Sequence, residues 1–482
     1  MGTEKERLSS GISGLDEILD GGFLAHHQYH IRGGPGCGKT TLGLHFLAAE
    51  PEATTLHVTF GEQPEQLRED FEAFSEVLRN TEILDLSPDP SEMVDKPTYD
   101  IFASSEVDSQ PIIERIRETA ERLRPDRVFI DSLTQLRYLT PEPAQFRSQV
   151  LGLLRAFTTR GATVLFTSEA SAEAPDDDLR FLSDGVLTVT LHEDGARSVE
   201  VSKVRGSGFR TGAHDVYLSD QGMDVKPQLV PSSFNRAFET QVINAGVPGI
   251  DELAGGGVHR GTTTLIAGPS GSGKTTFGLQ FMKEAAGRGE GSAVFLFEED
   301  PQTLLHRADA LSMPMRDMVD QGMLYLERVE PLHYTPTQLA HAIRHLVETR
   351  DVRIVMIDSI AGYRLALGSE DPLREFYSLT QYLKNMGVTT FLVNEIDATA
   401  ASQMQASRFD ISPLVDNIYL LNLVIDAQYR LHKQVRMIKR RTGSFSNQAG
   451  WMEFTPYGIQ VQSIGPGEMQ GVATAYGGAQ HG

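Results

Sequence analysis

Short, continuous apolar runs alternate along this chain with longer stretches in which apolar residues recur at helical spacing. The runs at 56–62 (LHVTFGE), 128–132 (VFIDS) and 164–168 (VLFTS) return later as 293–299 (AVFLFEE), 355–359 (VMIDS) and 391–394 (FLVN). Helical periodicity runs from Thr40 to about Ala49 and again from Thr275 to about Gly287. Uninterrupted apolar strands separated by helices predict a mainly parallel sheet covered on both faces. Each half of the chain is therefore expected to be an α/β domain, with its ligand at the carboxyl ends of the strands.

The repeat is more than a likeness of patterns. Gly11-Ile12-Ser13-Gly14-Leu15-Asp16-Glu17 recurs as Gly246-Val247-Pro248-Gly249-Ile250-Asp251-Glu252. The same offset separates Gly33-Gly34-Pro35-Gly36-Cys37-Gly38-Lys39-Thr40 from Gly268-Pro269-Ser270-Gly271-Ser272-Gly273-Lys274-Thr275, and both octets fit G-x-x-x-x-G-K-[ST]. That offset is about one nucleotide-binding domain, so the spacing predicts a tandem pair. Domains are expected over 1–225 and 241–464. Between them 226–240 reads as a linker, where Pro227, Pro231, Ser232 and Ser233 break the periodicity, and the Gly- and Ala-rich end, 465–482, reads as a mobile tail.

Residue chemistry assigns roles within each half. Backbone N–H groups of Gly34, Pro35, Gly36, Cys37 and Gly38 (the proline lending only its turn), with Lys39, Thr40 and Thr41, are expected to bind a nucleotide's phosphates. Pro269, Ser270, Gly271, Ser272, Gly273, Lys274, Thr275 and Thr276 should do the same in the second half. Lys39 and Lys274 would reach the terminal phosphates. Thr40 with Asp131, and Thr275 with Asp358, would hold Mg2+. Hydrolysis needs a carboxylate to polarise the attacking water, and Glu298 with Glu299 ends a buried strand at the expected position. The first half has Gly61-Glu62 there, so only Glu62 is available, and if the first acid of the pair is the base poor turnover is expected. A basic cluster closes each half: Lys203 and Arg205, then Lys439 and Arg441. In a ring, such cations reach a neighbour's γ-phosphate.

Composition narrows the setting. With 40% hydrophobic and 22% charged residues the chain is neither disordered nor fibrous. No run approaches the length of a membrane-spanning helix, and the start, MGTEKERLSS, lacks the marks of a signal peptide, so a cytoplasmic location is expected. The single cysteine, Cys37, excludes an internal disulfide and by its place in a phosphate loop reads as oxidation-sensitive at most. A formal charge of −22 opposes polyanions and anionic membranes.

Together these motifs resemble the KaiC family of tandem ATPases with the RecA-type fold, over about residues 8 to 460. The resemblance implies a homo-oligomer, a two-tiered hexameric ring, with ATP between subunits, Mg2+ as cofactor, a signalling or regulatory protein partner, and serine/threonine autokinase activity in the second domain. It maps the acid pair onto Glu298 and Glu299, and the trans-acting K-x-R onto Lys203 and Arg205 and onto Lys439 and Arg441. A histidine following that motif in the clock protein is replaced by Phe209 and Phe445. Ser412-Pro413 stands where adjacent serine and threonine acceptors are expected, leaving Ser412 as the one phosphoacceptor candidate. Two other readings compete. A DNA-dependent recombinase or helicase would need basic channel loops, for which the chain offers isolated Arg137, Arg147, Arg364 and Arg374 among acids. A nucleotide-gated scaffold with little turnover would suit the first half, given Gly61.

Overall fold

A computed structural model of the chain describes residues 5–87, 110–140, 142–169, 175–330, 334–366, 372–396, 411–426, 428–464 and 473–474. It divides into two compact units, 1–228 and 229–482.

In the first unit a nine-stranded sheet runs in the order Gly222–Lys226, Ala213–Ser219, Arg197–Val204, Gly185–Leu191, Gln28–Arg32, Thr163–Ser168, Arg127–Asp131, Thr55–Thr59, Glu82–Asp85. From Gly185–Leu191 to Glu82–Asp85 every pair is parallel; the other three pairings are antiparallel. Every residue of Thr55–Thr59 and of Thr163–Ser168 is buried, as expected of strands covered on both faces. Arg197–Val204 alternates at its centre between buried and exposed residues, because one of its faces meets solvent. The antiparallel extension was not legible in the apolar runs, which mark only doubly covered strands.

The second unit repeats this order, here from the opposite edge: Leu324–Arg328, Gly291–Leu296, Val352–Asp358, Thr389–Glu395, Thr263–Gly268, Asn417–Ile425, Leu431–Arg440, Ala449–Thr455, Gly458–Ser463. The tail expected from 465 lies outside the described residues, except Ala473–Thr474, which pairs antiparallel with Val424 and Ile425. The segment read as a linker is fastened from Leu229 onward to the second unit. Phe234 sits edge-on to Tyr382 at 5.1 Å, beneath the Arg344 guanidinium, and Arg236 pairs with Asp351 at 2.8 Å. Among the described residues no helix is long and apolar enough to cross a membrane.

Each phosphate loop leaves the middle of its sheet and enters a helix, Lys39–Ala48 or Lys274–Gly287. These helices are buried on most sides, which calls for small residues where they cross the sheet. A Cβ on Gly43 would lie 2.1 Å from the fully buried Phe129 ring, whereas on Gly278 it would meet the Met356 sulfur at 2.4 Å. An aromatic ring locked in a core cannot yield as a thioether can. Gly43→Ala is therefore expected to destabilise the first unit by about 1–3 kcal/mol. Gly278→Ala should cost the second unit less; equal losses of stability in urea unfolding of the two variants would show that both helices pack alike and overturn the ranking.

Candidate nucleotide site in each unit

Both loops turn through glycines that only a residue without Cβ adopts readily. Gly38 and Gly273, the residues before the helices, have φ of 104° and 97°. The turn aims the first amides of the helix, and its positive end, at a cavity beside the strand ends.

In the second unit this cavity is about 490 Å3 and brings Ser270, Gly271, Gly273, Lys274, Thr275 and Thr276 together with Glu298, Glu299 and Asp358. Thr275 Oγ1 donates to Asp358 Oδ2 at 2.6 Å, joining the helix start to the end of a core strand two places away across the sheet. Burial pushes the Asp358 carboxyl up and the Lys274 ammonium down; Glu395, Asp358 and Glu298 oppose the second shift. The two glutamates differ in their partners. Ser359 donates its hydroxyl to Glu298 Oε1 at 2.6 Å, while Arg307 donates from Nη1 and Nη2 to the two carboxylate oxygens of Glu299 at 2.9 Å each. Ser359 and Arg307 were not singled out from sequence. The recurrence of Asp-Ser in both halves was the available signal for the first.

Three further residues of this cavity were missed. Glu395 ends the strand beside the phosphate-loop strand and pairs with Lys274 at 3.8 Å. Lys433 donates to the carbonyl of Gly271, at the loop's tip, and lies 5.0 Å over the Phe454 ring, which packs against Gly273. Arg197 makes the matching contact in the first unit, donating to Gly36 O at 3.3 Å.

The first unit's cavity, about 430 Å3, gathers Pro35, Gly36, Gly38, Lys39, Thr40 and Thr41 with Gly61, Glu62 and Asp131; Gly34 and Cys37 belong to the loop without lining it. Thr40 Oγ1 donates to Asp131 Oδ2 at 2.7 Å, and Lys39 Nζ to the carbonyls of Gly33 and Gly34 at 2.9 and 2.8 Å. These two hydroxyl–carboxylate pairs are hard oxygen donors of the kind Mg2+ takes alongside phosphate oxygens, so both units fit that ion. Glu62 is pushed up, first by burial and then by Asp131 and Asp70. At Gly61 a Cβ would meet nothing within 4 Å, and Ser132, the counterpart of Ser359, has no glutamate there to hold. Cys37 corrects an expectation. Its thiol is fully buried in the core and burial pushes it up, against the thiolate that oxidation requires.

The basic clusters are not brought to these cavities. Lys203 donates to the carbonyls of Ser183 and Arg180 at 2.6 and 2.8 Å, and Arg205 pairs with Asp184 at 3.4 Å. Lys439 donates to Val415 O at 2.8 Å and Arg441 to Pro413 O at 2.9 Å, with Asp416 at 3.6 Å from Arg441. In both units the pair braces the turn that enters a core strand. In the first it also lines a separate hollow of about 680 Å3 beside Phe181, which is 75% exposed. Ser412 begins the braced turn Ser412–Leu414, and its side chain lies outside the described positions. Phe209 and Phe445 pack against the cores. Arg137 and Arg147 both approach Asp178, at 2.8 and 3.7 Å, so their charges are engaged within the fold. Arg364 and Arg374 lie in the helices Ile360–Ala366 and Pro372–Asn385.

Comparison with known proteins agrees with this geometry. A family model described as the KaiC ATPase matches residues 8–230 and again 243–465. The circadian clock oscillator protein KaiC of Prochlorococcus marinus is 26% identical over 95% of this chain and 93% of its own length. The circadian clock protein KaiC2 of Synechocystis sp. is 24% identical over 96% of this chain and 82% of its own. KaiC of Synechococcus elongatus is 26% identical over 92% and 86%. With the model matching both halves, each around a phosphate loop and its paired aspartate, the chain belongs to the KaiC family of ATPases and carries two tandem domains of that family.

Proposed function

We propose that the second unit hydrolyses Mg-ATP while the first chiefly holds it, and that bound nucleotide assembles copies of this chain into a ring that serves as a signalling or timing switch. The observation that carries this reading is the anchored Glu298, sharing one cavity with Lys274 and the Thr275–Asp358 pair, against Gly61 at the matching place. Lys274 and the loop amides would neutralise the terminal phosphates. Thr275 and Asp358 would hold Mg2+, which supplies further charge neutralisation at the phosphate oxygens. Ser359 fixes Glu298 through Oε1, leaving Oε2 to take a proton from the water whose oxygen attacks the γ-phosphorus as the bond to ADP breaks. Glu299, tied to Arg307, acts by shaping this wall. In the first unit Glu62 alone remains.

Assembly is supported by where the cations stand. Lys203 with Arg205, and Lys439 with Arg441, lie away from their own chain's cavities, so their charge is available to a neighbour's γ-phosphate only in an oligomer, proposed to be a hexamer. The relatives' names place them in circadian clocks, which favours a slow switch read by a protein partner. Ser412 is proposed as the phosphoacceptor of an autokinase, since its turn is braced by Arg441 and would lie at the same subunit boundary.

Three outcomes test this. Glu298→Gln is expected to lower steady-state ATP turnover about 100-fold and Lys274→Ala to remove most of it, with Ser359→Ala intermediate; turnover unchanged in the first two would exclude the second unit as the catalyst. Gly61→Glu, for which the cavity has room, should raise the first unit's turnover by about 10-fold or more, measured in a Lys274→Ala background. Intact-mass analysis after incubation with Mg-ATP should show one added phosphate on the parent and none on Ser412→Ala, while a phosphate on both would reassign the acceptor.

A further inference from the structure

The carboxylate of Glu395 stands 3.8 Å from the ammonium of Lys274, in the same cavity as Glu298 and Asp358. Its place is fixed by strand register. Thr389–Glu395 lies parallel to Thr263–Gly268, with Glu395 directly opposite Gly268, the first residue of the phosphate loop. The lysine is nearly buried, its side chain 10% exposed, whereas the glutamate is about half exposed and able to turn outward. The first unit differs. There Arg32 pairs with Ser168, so Glu169 holds the corresponding position and lines the cavity. Both lysines donate to loop carbonyls, Lys39 to Gly33 and Gly34 and Lys274 to Pro269 at 2.9 Å, but among the described residues only Lys274 also has a carboxylate within ion-pair reach.

We infer that Glu395 is a nucleotide-selectivity residue of the second site, a counter-ion that competes with the γ-phosphate for Lys274 and so weakens ATP binding more than ADP binding. This rests on the proposal that the second cavity binds ATP. The lysine of a phosphate loop serves the outermost phosphates. A carboxylate already on that lysine has to give way before a γ-phosphate can take its place, and the two anions repel at that range. ADP ends one phosphate short and disturbs the pair less. Glu395 thereby draws the two affinities together, so that occupancy of the second site follows the ratio of ATP to ADP more closely than it would with a neutral residue there. The first site carries no such pair.

The test uses the full chain with the first site silenced by Lys39→Ala, titrated calorimetrically with Mg2+ and either a non-hydrolysable ATP analogue or ADP. Adding Glu395→Gln is expected to tighten the analogue about five- to tenfold and to change ADP by less than about twofold. A purely structural strand-end acid would move both ligands together or neither, and either result overturns the inference while leaving the ATP site in place. If the Lys39→Ala protein binds neither ligand, the reading of the second cavity as an ATP site fails and this inference with it.

Discussion

The threonine–aspartate hydrogen bond is the contact on which each site depends. It runs from the first turn of the phosphate-loop helix to the end of a strand two places away across the sheet, Thr40 to Asp131 and Thr275 to Asp358. Two elements far apart in sequence are thereby held at one distance, and the loop between them can turn through its left-handed glycine with its amides facing outward. The rest of each unit serves that juxtaposition. Fully buried parallel strands fix the depth of the aspartate, and a helix carrying glycine at its closest approach fixes the threonine. The antiparallel extension adds one cation, Arg197 or Lys433, that ties the loop's tip to the same sheet.

On this common frame the two units differ in how acids are distributed. The second has four carboxylates in its cavity, each with a partner: Asp358 with Thr275, Glu298 with Ser359, Glu299 with Arg307, Glu395 with Lys274. The first lacks the glutamate that its serine would hold, and its lysine, which like Lys274 donates to loop carbonyls, has no carboxylate paired with it among the described residues. A frame that preserves loop, lysine and threonine–aspartate pair keeps the chemistry of binding a triphosphate. The acids around it, proposed to govern what happens next, vary without disturbing the sheet because they stand at strand ends rather than within strands.

Much of this was legible in the sequence, for a physical reason. Phosphate loops, strand-end acids and doubly covered strands are local signals: a glycine pattern, an acid closing an apolar run, an unbroken run of four or five apolar residues. Both octets, Asp131, Asp358 and the mainly parallel, doubly covered strands around them were reached that way. What was not legible depends on register between distant segments. Ser359 reaches Glu298 across 61 residues and Lys433 reaches Gly271 across 162, and neither serine nor lysine carries a mark of its role. Glu395 escaped because the apolar run was read as ending at Asn394, one residue before the acid that strand pairing sets opposite Gly268. Cys37 was misjudged from its membership of the loop, when packing beneath the loop decides its chemistry.

The basic clusters show how one pair of side chains can serve a fold and remain available to a neighbour. Lys439 and Arg441 cap the carbonyls of the turn that leads into Asn417–Ile425, and Lys203 caps the corresponding turn with Arg205 beside Asp184. A carbonyl takes up only part of the charge of an ammonium or guanidinium, and a guanidinium has five donors, so such a cation keeps a field that a further anion can feel. Arg205 and Arg441 are each at least half exposed. Bracing the turn lowers the conformational freedom of both cations beforehand, which reduces the ordering cost of meeting a phosphate presented from outside the chain. The same bracing fixes the turn that carries Ser412, so in the second unit the group proposed to receive a phosphate and the cation proposed to steady one are positioned by a single set of contacts.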